Sequence, residues 1–136
     1  MTRIVKILIF FLLTLVFSCE KQGLLVKCSD CLPDEPTGTD LNIQLSHNNW
    51  GSSILVNVWE GNLEDSVLYD SFTSGSTTTS VSVTLNKKYT VTATYNLNGN
   101  TYVAVDAATP RVRYTKDQCN DPCYFIYDKN IDLRLK

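Results

Sequence analysis

Four cysteines in two closely spaced pairs are the residues of this chain that are best suited to covalent or metal chemistry. Cys28 and Cys31 form a C-x-x-C motif, and Cys119 and Cys123 form a C-x-x-x-C motif. Pairs at these spacings form disulfides in exported chains, bind Zn²⁺ as thiolates, or work as redox pairs at the start of a helix. The chemistry therefore depends on the compartment and on the residues around each pair.

The surroundings of the cysteines favour structural disulfides. Pro33 and Pro36 follow Cys31 closely, so this segment does not offer the helix start that lowers the thiol pKa of a redox pair. A zinc site with four thiolates fits the spacing, but an exported chain meets an oxidising environment. Three disulfide pairings are possible for four cysteines.

The length of the loop that a disulfide closes distinguishes bridges between the two motifs from bridges within each motif. Bridges between the two motifs would close a loop of about ninety residues and stabilise the fold by roughly 4–5 kcal/mol, whereas two local bridges would constrain little. We expect bridges between the motifs, which would fasten the N-terminal segment to the C-terminal one. Local bridges are the alternative.

Other catalytic chemistry has little support in the sequence. His47 is the single histidine and lies in a polar turn, and the chain has no G-x-S-x-G, H-E-x-x-H or phosphate-binding glycine loop. The acidic residues between Asp30 and Asp40 lack the alternating spacing of a calcium loop. We therefore predict no catalytic residue, no resident metal and no cofactor.

Aromatic residues are the candidates for ligand contact. Trp50, Trp59 and Tyr69 combine flat apolar rings with polar tips, which suits sugars and peptides if the rings share one exposed face. Ordinary packing in the core or at a sheet edge is the alternative for each of them. The tripeptide Asp65-Ser66-Val67 resembles the O-glycosylation motif of Bacteroidota proteins, and this resemblance implies a sugar on Ser66.

The first eighteen residues have the pattern of an export signal. Arg3 and Lys6 precede an apolar run from Ile7 to Phe17, which ends at Ser18-Cys19. The run is too short to cross a bilayer, since a spanning helix needs about 20 apolar residues. Residues 15–19 resemble the bacterial lipobox as it occurs in lipoproteins of the Bacteroidota, which implies cleavage before Cys19 and attachment of a diacylglycerol to its sulfur.

The lipobox resemblance implies a location at the outer membrane. One acyl chain such as palmitate binds only marginally, at about 0.8 kcal/mol per buried methylene, and the two or three chains of a lipoprotein hold it stably. The polypeptide would stay outside the bilayer, either exposed on the cell surface or facing the periplasm. The membrane is thus an expected partner through the lipid anchor.

Composition limits the remaining possibilities. The chain is 43% hydrophobic and 19% charged, as an ordinary globular protein is. Without Arg3 and Lys6, ten basic residues face 14 acidic ones, for a net charge of −4, which gives no electrostatic support for nucleic-acid binding. The length suits one domain. We predict a signal peptide at 1–18, a lipidated tether at 19–40 and a β-sandwich domain at 41–136.

The body of the chain has the alternating pattern of β-strands. Apolar and polar residues alternate with period 2, and no stretch keeps an apolar period of 3.6. The Asn98-Gly99 pair is typical of a tight hairpin turn. Seven strands are predicted, and the class is all-β. The candidate strands are Leu41–Ser46, Ser53–Glu60, Val67–Thr73, Thr79–Leu85, Tyr89–Asn96, Thr101–Asp106 and Ile131–Leu135.

One short segment carries a resemblance to a fold family. Residues 85–93, in which Leu85 precedes Tyr89 and a strand with alternating Val91 and Ala93, resemble the corner before the sixth strand of immunoglobulin-like sandwiches, including fibronectin type III and prealbumin-like modules. This resemblance implies a single Greek-key β-sandwich of about seven strands. The layout as a whole resembles small Bacteroidota lipoproteins that join a lipobox to such a module.

These observations favour a protein that binds rather than catalyses. We expect a lipid-anchored interaction or structural module of the cell envelope, whose partner is another envelope protein. A glycan-binding accessory protein of the surface is the alternative. The arrangement of Trp50, Trp59 and Tyr69 distinguishes the two, because a sugar-binding platform requires them on one exposed face.

Overall fold

The computed structural model describes residues 26–46 and 53–136. Within these ranges the chain forms two short 3₁₀ helices, Cys28–Asp30 and Leu63–Asp65, and nine strands. The predicted signal peptide, Cys19, His47 and Trp50 lie outside the described residues. Neither 3₁₀ helix has the length and apolar character that crossing a membrane requires. The strands are β1 Gly38–Leu45, β2 Ile54–Glu60, β3 Leu68–Ser74, β4 Thr78–Thr84, β5 Tyr89–Leu97, β6 Asn100–Ala108, β7 Arg111–Thr115, β8 Cys123–Tyr127 and β9 Asn130–Leu133.

Two of the sheets form the sandwich. One contains three strands in the order β4-β1-β9, and the other contains four in the order β3-β2-β5-β6. All pairs are antiparallel except β1 with β9, which is parallel. Strands β2 and β3 pair in one sheet while β4 returns to pair with β1 in the other, which is a Greek key divided between two sheets. The prediction of an all-β sandwich is confirmed.

The core lies between the two sheets. In β1, Leu41, Ile43 and Leu45 are buried while the residues between them are exposed, as the predicted alternation requires. Burying each aliphatic side chain of this size contributes about 1.5–3 kcal/mol. The buried hydrophobic residues of both sheets form one cluster: Leu41, Ile43, Leu45, Ile54, Val56, Val58, Val83, Tyr89, Val91, Ala93, Tyr95, Ala108, Ile131 and Leu133.

The predicted corner has the geometry of an immunoglobulin-like sandwich. Tyr89 is fully buried, and its hydroxyl accepts a hydrogen bond of 3.2 Å from the backbone N–H of Thr84, five residues upstream. A bond from a tyrosine hydroxyl back to the preceding backbone is the feature that closes this corner in such sandwiches. Asn86 turns the chain with a φ of 63°, and its N–H donates to the carbonyl of Pro110.

The Asn98-Gly99 pair forms the expected hairpin turn. Leu97 and Asn100 are paired, so only two residues connect β5 to β6. Both central residues have positive φ, 52° for Asn98 and 79° for Gly99, which is the signature of a type I′ turn. The turn fixes the register of β5 against β6 and so determines which side chains share a face.

All seven predicted strands are present, and two more lie between β6 and β9. Strands β7 and β8 form a separate antiparallel hairpin, from Arg111 paired with Tyr127 to Thr115 paired with Cys123. In β7 the half-buried Val112 stands between two exposed arginines, so apolar alternation is weak there. In β8 the four residues after Cys123 are all aromatic or aliphatic, so the strand has no alternation of apolar and polar residues.

Candidate functional site

Two disulfides fasten the N-terminal segment to the hairpin of β7 and β8. Cys28 is bonded to Cys119 and Cys31 to Cys123, with Cα–Cα distances of 5.6 and 5.4 Å. Both bridges run between the two cysteine motifs, which is the arrangement favoured by the length of the closed loop. The sequence does not distinguish this pairing from its exchanged counterpart, in which Cys28 would join Cys123, because the two close loops of nearly equal length.

Backbone pairing reinforces these bridges. Leu32 and Tyr124 form an isolated antiparallel bridge, with hydrogen bonds of 2.8 and 2.9 Å between their backbone groups. We call the segment Cys28–Leu32, its two disulfides and strand β8 the cystine base. The residues that follow Cys28 are therefore part of the folded domain, although the sequence pattern resembles a tether.

The cystine base lines an open cleft of about 360 Å³. The Sγ atoms of Cys31 and Cys119 lie 3.5 Å apart across the two bridges. A disulfide sulfur carries neither a proton nor a charge, whereas the thiolate is the form that binds Zn²⁺ or attacks a substrate. In this bonded state the four cysteines supply no thiolate to the cleft, and their role is structural.

The outward surface of the four-stranded sheet is the second candidate, and we call it the outer face. The cross-strand pairs arrange its side chains in three rows of four, each row running from β3 through β2 and β5 to β6. None of these side chains is charged. The rows are Leu68, Trp59, Thr90 and Ala107; Ser71, Asn57, Thr92 and Val105; Thr73, Leu55, Thr94 and Val103.

Large apolar side chains on the outer face are exposed to solvent. Val103 and Val105 on β6 are 57% and 53% exposed, and Leu68 on β3 is 53% exposed. On the central strand β5, by contrast, Thr90 and Thr92 are only 6% exposed. The outer face thus has a low groove along β5 between higher side chains on β6 and β2.

The opposite sheet has a different outward surface. There, Asp40, Asn42 and Gln44 of β1 alternate with the buried core residues. Their partners on the neighbouring strands include Ser82, Ser80 and Asp132, all exposed and polar. Because a free sheet face usually turns polar side chains to water, the exposed apolar side chains of the outer face are the ones that need an explanation.

Charged side chains pair at the margins of the sandwich. Lys87 lies 2.9 Å from Glu60, and this hydrogen bond raises the pKa of the Lys87 ammonium group. Arg134 donates to both carboxylate oxygens of Asp132, which holds the pKa of that carboxyl group well below its ordinary value. All four side chains are at least 36% exposed, so water screens the pairs and they contribute little to stability.

The structure separates two of the three candidate aromatic residues. Trp59 pairs with Thr90 on the outer face. The Tyr69 ring, by contrast, packs edge to face against the buried Tyr89 at 5.3 Å, and its hydroxyl donates to the carbonyl of Ser82 in the other sheet. Trp59 and Tyr69 therefore do not share an exposed face, and Trp50 lies outside the described residues.

The polar tip of Trp59 is also withdrawn from the surface. Its indole Nε1 is buried and has no hydrogen-bond partner among the described residues. Burying such a group without a partner costs about 1–3 kcal/mol. Because a ligand cannot reach this nitrogen, Trp59 offers a ligand only the apolar part of its ring.

Ser66 lies in an exposed loop before β3. It ends the 3₁₀ helix Leu63–Asp65 with a left-handed φ of 54°, and the neighbouring Asp65 carboxylate accepts a hydrogen bond from the backbone N–H of Asn62. The Ser66 side chain is exposed, so its position is compatible with the glycosylation expected from the sequence.

The sequence alone does not identify the outer face as a candidate binding surface. The sequence signal for it is the alternation of threonine or valine with other residues in these strands. The same alternation is also typical of a sheet face that contacts only water. Only the register between strands shows that Val103, Val105, Leu55 and Trp59 lie together. Comparison of this chain with protein-family models, with curated proteins and with solved structures gave no match.

Proposed function

We propose that this chain is a lipid-anchored protein of the bacterial outer membrane whose β-sandwich works as a non-enzymatic interaction or structural module. The observation that carries the binding role is the uncharged outer face, with exposed Leu55, Leu68, Val103 and Val105. These apolar side chains alternate with serine, threonine and asparagine across the strands, and exposed apolar groups on an uncharged surface are typical of contact with another molecule. The lipid anchor is supported by the lipobox resemblance at Cys19.

The cystine base gives the proposed anchor a mechanical function. Cys28 follows Cys19 by nine residues, which span at most about 32 Å when fully extended. Because Cys28 and Cys31 are bonded to the C-terminal hairpin, a load on the anchor passes directly into the folded domain. The sandwich would thus be held close to the membrane, either exposed on the cell surface or facing the periplasm.

Glycan binding has less support than protein binding. Trp59 and Tyr69 lie on different faces, and the indole nitrogen of Trp59 is enclosed. A sugar site normally needs several polar groups beside an aromatic ring to fix the orientation of the ligand. On the outer face two of the hydroxyl groups nearest to Trp59 already donate hydrogen bonds within the protein, Thr90 to the carbonyl of Gly61 and Ser71 to the side chain of Asn57.

The anchor is tested by comparing the full-length chain with Cys19→Ser in a Bacteroidota host. We expect the unaltered chain to incorporate labelled palmitate and to enter the detergent phase on phase separation, because its acyl chains partition into apolar surroundings. The variant should be unlabelled and should stay in the aqueous phase. Retention of Cys19→Ser in the membrane pellet after a high-salt wash would exclude the acyl chains as the anchor.

The binding role is tested by photo-crosslinking in intact cells. A photoreactive amino acid at Val105 on the outer face is compared with the same amino acid at Ser80, an exposed strand residue on the polar face of the other sheet. We expect a discrete crosslinked product from position 105 and none from position 80. Equal products from both positions, or none from either, would contradict the proposed binding role of the outer face.

A further inference from the structure

We propose that the outer face binds the outer face of a second copy of this chain. This inference rests on the proposed binding function and names its partner. Two properties of the outer face support it: its lack of charge, and the match between its ridges and its groove. Its area determines how strong the contact is.

The lack of charge suits a symmetric contact. In a two-fold dimer each residue meets the same surface on the partner, so like charges would face one another near the axis. The three rows of the outer face contain no charged side chain, and two copies can therefore meet without burying an unpaired charge. Glu60, which follows Trp59 at the end of β2, is paired with Lys87.

The shape of the outer face is complementary to the outer face of a second copy related by a two-fold axis. A two-fold axis parallel to the strands and midway between β2 and β5 places β2 of one copy over β5 of the other. Trp59 and Asn57 of β2 then lie over the low groove made by Thr90 and Thr92, and Leu55 lies over the half-buried Thr94. Packing of this kind, with side chains of two sheets interdigitating, is how sandwich layers meet.

The same axis also matches the two outer strands. It places β6 of one copy over β3 of the other. The protruding Val103 and Val105 of β6 then meet Ser71 and Thr73, whose side chains are short. In both of these pairs a protruding valine therefore faces a shorter side chain.

The area predicts a weak dimer that depends on the membrane. Four strands about 4.8 Å apart and three rows about 6.8 Å apart cover roughly 400 Å². A stable interface usually buries about 800 Å² on each partner, so this contact alone gives only modest affinity in solution. Anchoring two copies to one membrane would raise their effective concentration and shift the equilibrium towards the dimer.

The test compares self-association of matched variants. The mature chain with Cys19→Ser is studied by analytical ultracentrifugation up to about 1 mM, and the lipidated chain is studied by crosslinking in phospholipid vesicles. Val105→Lys and Leu55→Lys each place a charge on the outer face. Ser80→Lys adds the same charge to the polar face and is the control. Thermal melting verifies that each variant is folded. If one of the two outer-face variants does not fold, the other is sufficient for the comparison.

The proposal predicts concentration-dependent dimers for the unaltered chain and for Ser80→Lys, with association at least about tenfold weaker for the outer-face variants. A photoreactive amino acid at Val105 should crosslink to β3 of the second copy, as peptide mapping would show. The proposal is overturned if the unaltered chain stays monomeric both in solution and on vesicles, or if Val105→Lys and Leu55→Lys dimerise as well as Ser80→Lys.

The crosslinking pattern separates this inference from the proposed function. If position 105 crosslinks in cells to a different protein while the purified chain is monomeric, the second copy is the wrong partner but the binding function stands. If position 105 gives no specific product in cells or on vesicles, both the second copy and the proposed binding role of the outer face are wrong.

Discussion

The hydroxyl of Tyr89 accepts a hydrogen bond from the backbone N–H of Thr84, and this bond closes the connection between the two sheets. Thr84 is the last residue of β4 in one sheet, and Tyr89 is the first residue of β5 in the other. The ring is fully buried and packs against Tyr69, which itself reaches back to Ser82 in β4. The corner therefore combines buried area with two bonds to the same strand.

Tyr89→Ala should destabilise the protein by about 3–5 kcal/mol, because it removes a fully buried aromatic ring and leaves a cavity between the sheets. Tyr89→Phe keeps the ring and removes only the hydroxyl, so we expect a loss of about 0.5–1.5 kcal/mol. Urea denaturation of both variants measures the difference. Equal losses for alanine and phenylalanine would mean that the ring contributes no packing energy at this corner.

The fold class could be predicted from the sequence because apolar and polar residues alternate in several sandwich strands. In β1 and β5, apolar residues at every second position fall in the core, and the position of the Asn98-Gly99 turn follows from local backbone preferences. Strands β7 and β8 lack such a pattern, because the disulfides and the pairing of Leu32 with Tyr124 hold this hairpin through contacts with a distant segment. Residues up to 40 have the composition of a tether, although β1 already begins at Gly38.

The turn between β5 and β6 should be sensitive to glycine replacement for conformational reasons. Gly99 has a φ of 79°, and a Cβ there would meet no atom within 4 Å, so Gly99→Ala introduces backbone strain without a clash. We expect a loss of about 1–2 kcal/mol, the cost of the left-handed conformation for a residue with a Cβ. Gly75 is equally open and has no positive φ, and it is the matched control.

Gly75→Ala should change the free energy of unfolding by no more than about 0.5 kcal/mol. Thermal or urea denaturation of the two alanine variants therefore isolates the effect of backbone conformation from that of space. A Gly75→Ala variant as unstable as Gly99→Ala would show that the positive φ is not the cause.

The disulfides predict a defined chemical result. The mature chain with Cys19→Ser should show no free thiol after unfolding, because Cys28, Cys31, Cys119 and Cys123 are all bonded. Digestion without reductant should give one peptide pair that joins Cys28 to Cys119 and another that joins Cys31 to Cys123. Four reactive thiols together with bound zinc would instead support the thiolate alternative.

Removal of the disulfides should lower stability without removing the sandwich. Each bridge closes a loop of more than ninety residues, with separations of 91 and 92, so losing the first costs roughly 4–5 kcal/mol in the chain-entropy model. We expect the second to add less, because its loop is already constrained by the first. Opening both bridges should also expose β7 and β8 to proteolysis earlier than the core strands, which limited digestion with and without reductant would measure.

The residues of the outer face could not be grouped from the sequence, because their grouping depends on the register between strands. In the sequence, Leu55, Thr94 and Val103 lie far apart, and only the pairing of β2, β5 and β6 makes them neighbours. A slip of one residue would move every side chain of a strand to the opposite face. The alternation within each strand could be predicted, but the neighbours of each side chain could not, because pairing depends on contacts between distant segments.

Tyr95 of β5 supplies the last prediction, because its hydroxyl bonds to the backbone at the ends of β1 and β9 in the other sheet. Its hydroxyl donates to the carbonyl of Leu133 at 2.7 Å and accepts from the N–H of Ser46 at 3.1 Å. Tyr95→Phe leaves both backbone groups without this partner, so we expect a loss of about 1–3 kcal/mol. Tyr102 is paired with Tyr95 across β5 and β6 but is 47% exposed, and Tyr102→Phe is the matched control with an expected change below about 0.5 kcal/mol.

Hydrogen exchange localises the effect of Tyr95. If its hydroxyl holds the C-terminal strand, Tyr95→Phe should speed exchange of the Ser46 and Leu135 amides, since Leu135 donates its N–H to the Ser46 side chain. Amides in the middle of β5 should keep their protection relative to global unfolding, because they bond to β2 and β6. Uniform loss of protection in all strands would contradict a local tether, because the hydroxyl would then stabilise the sandwich only as a whole.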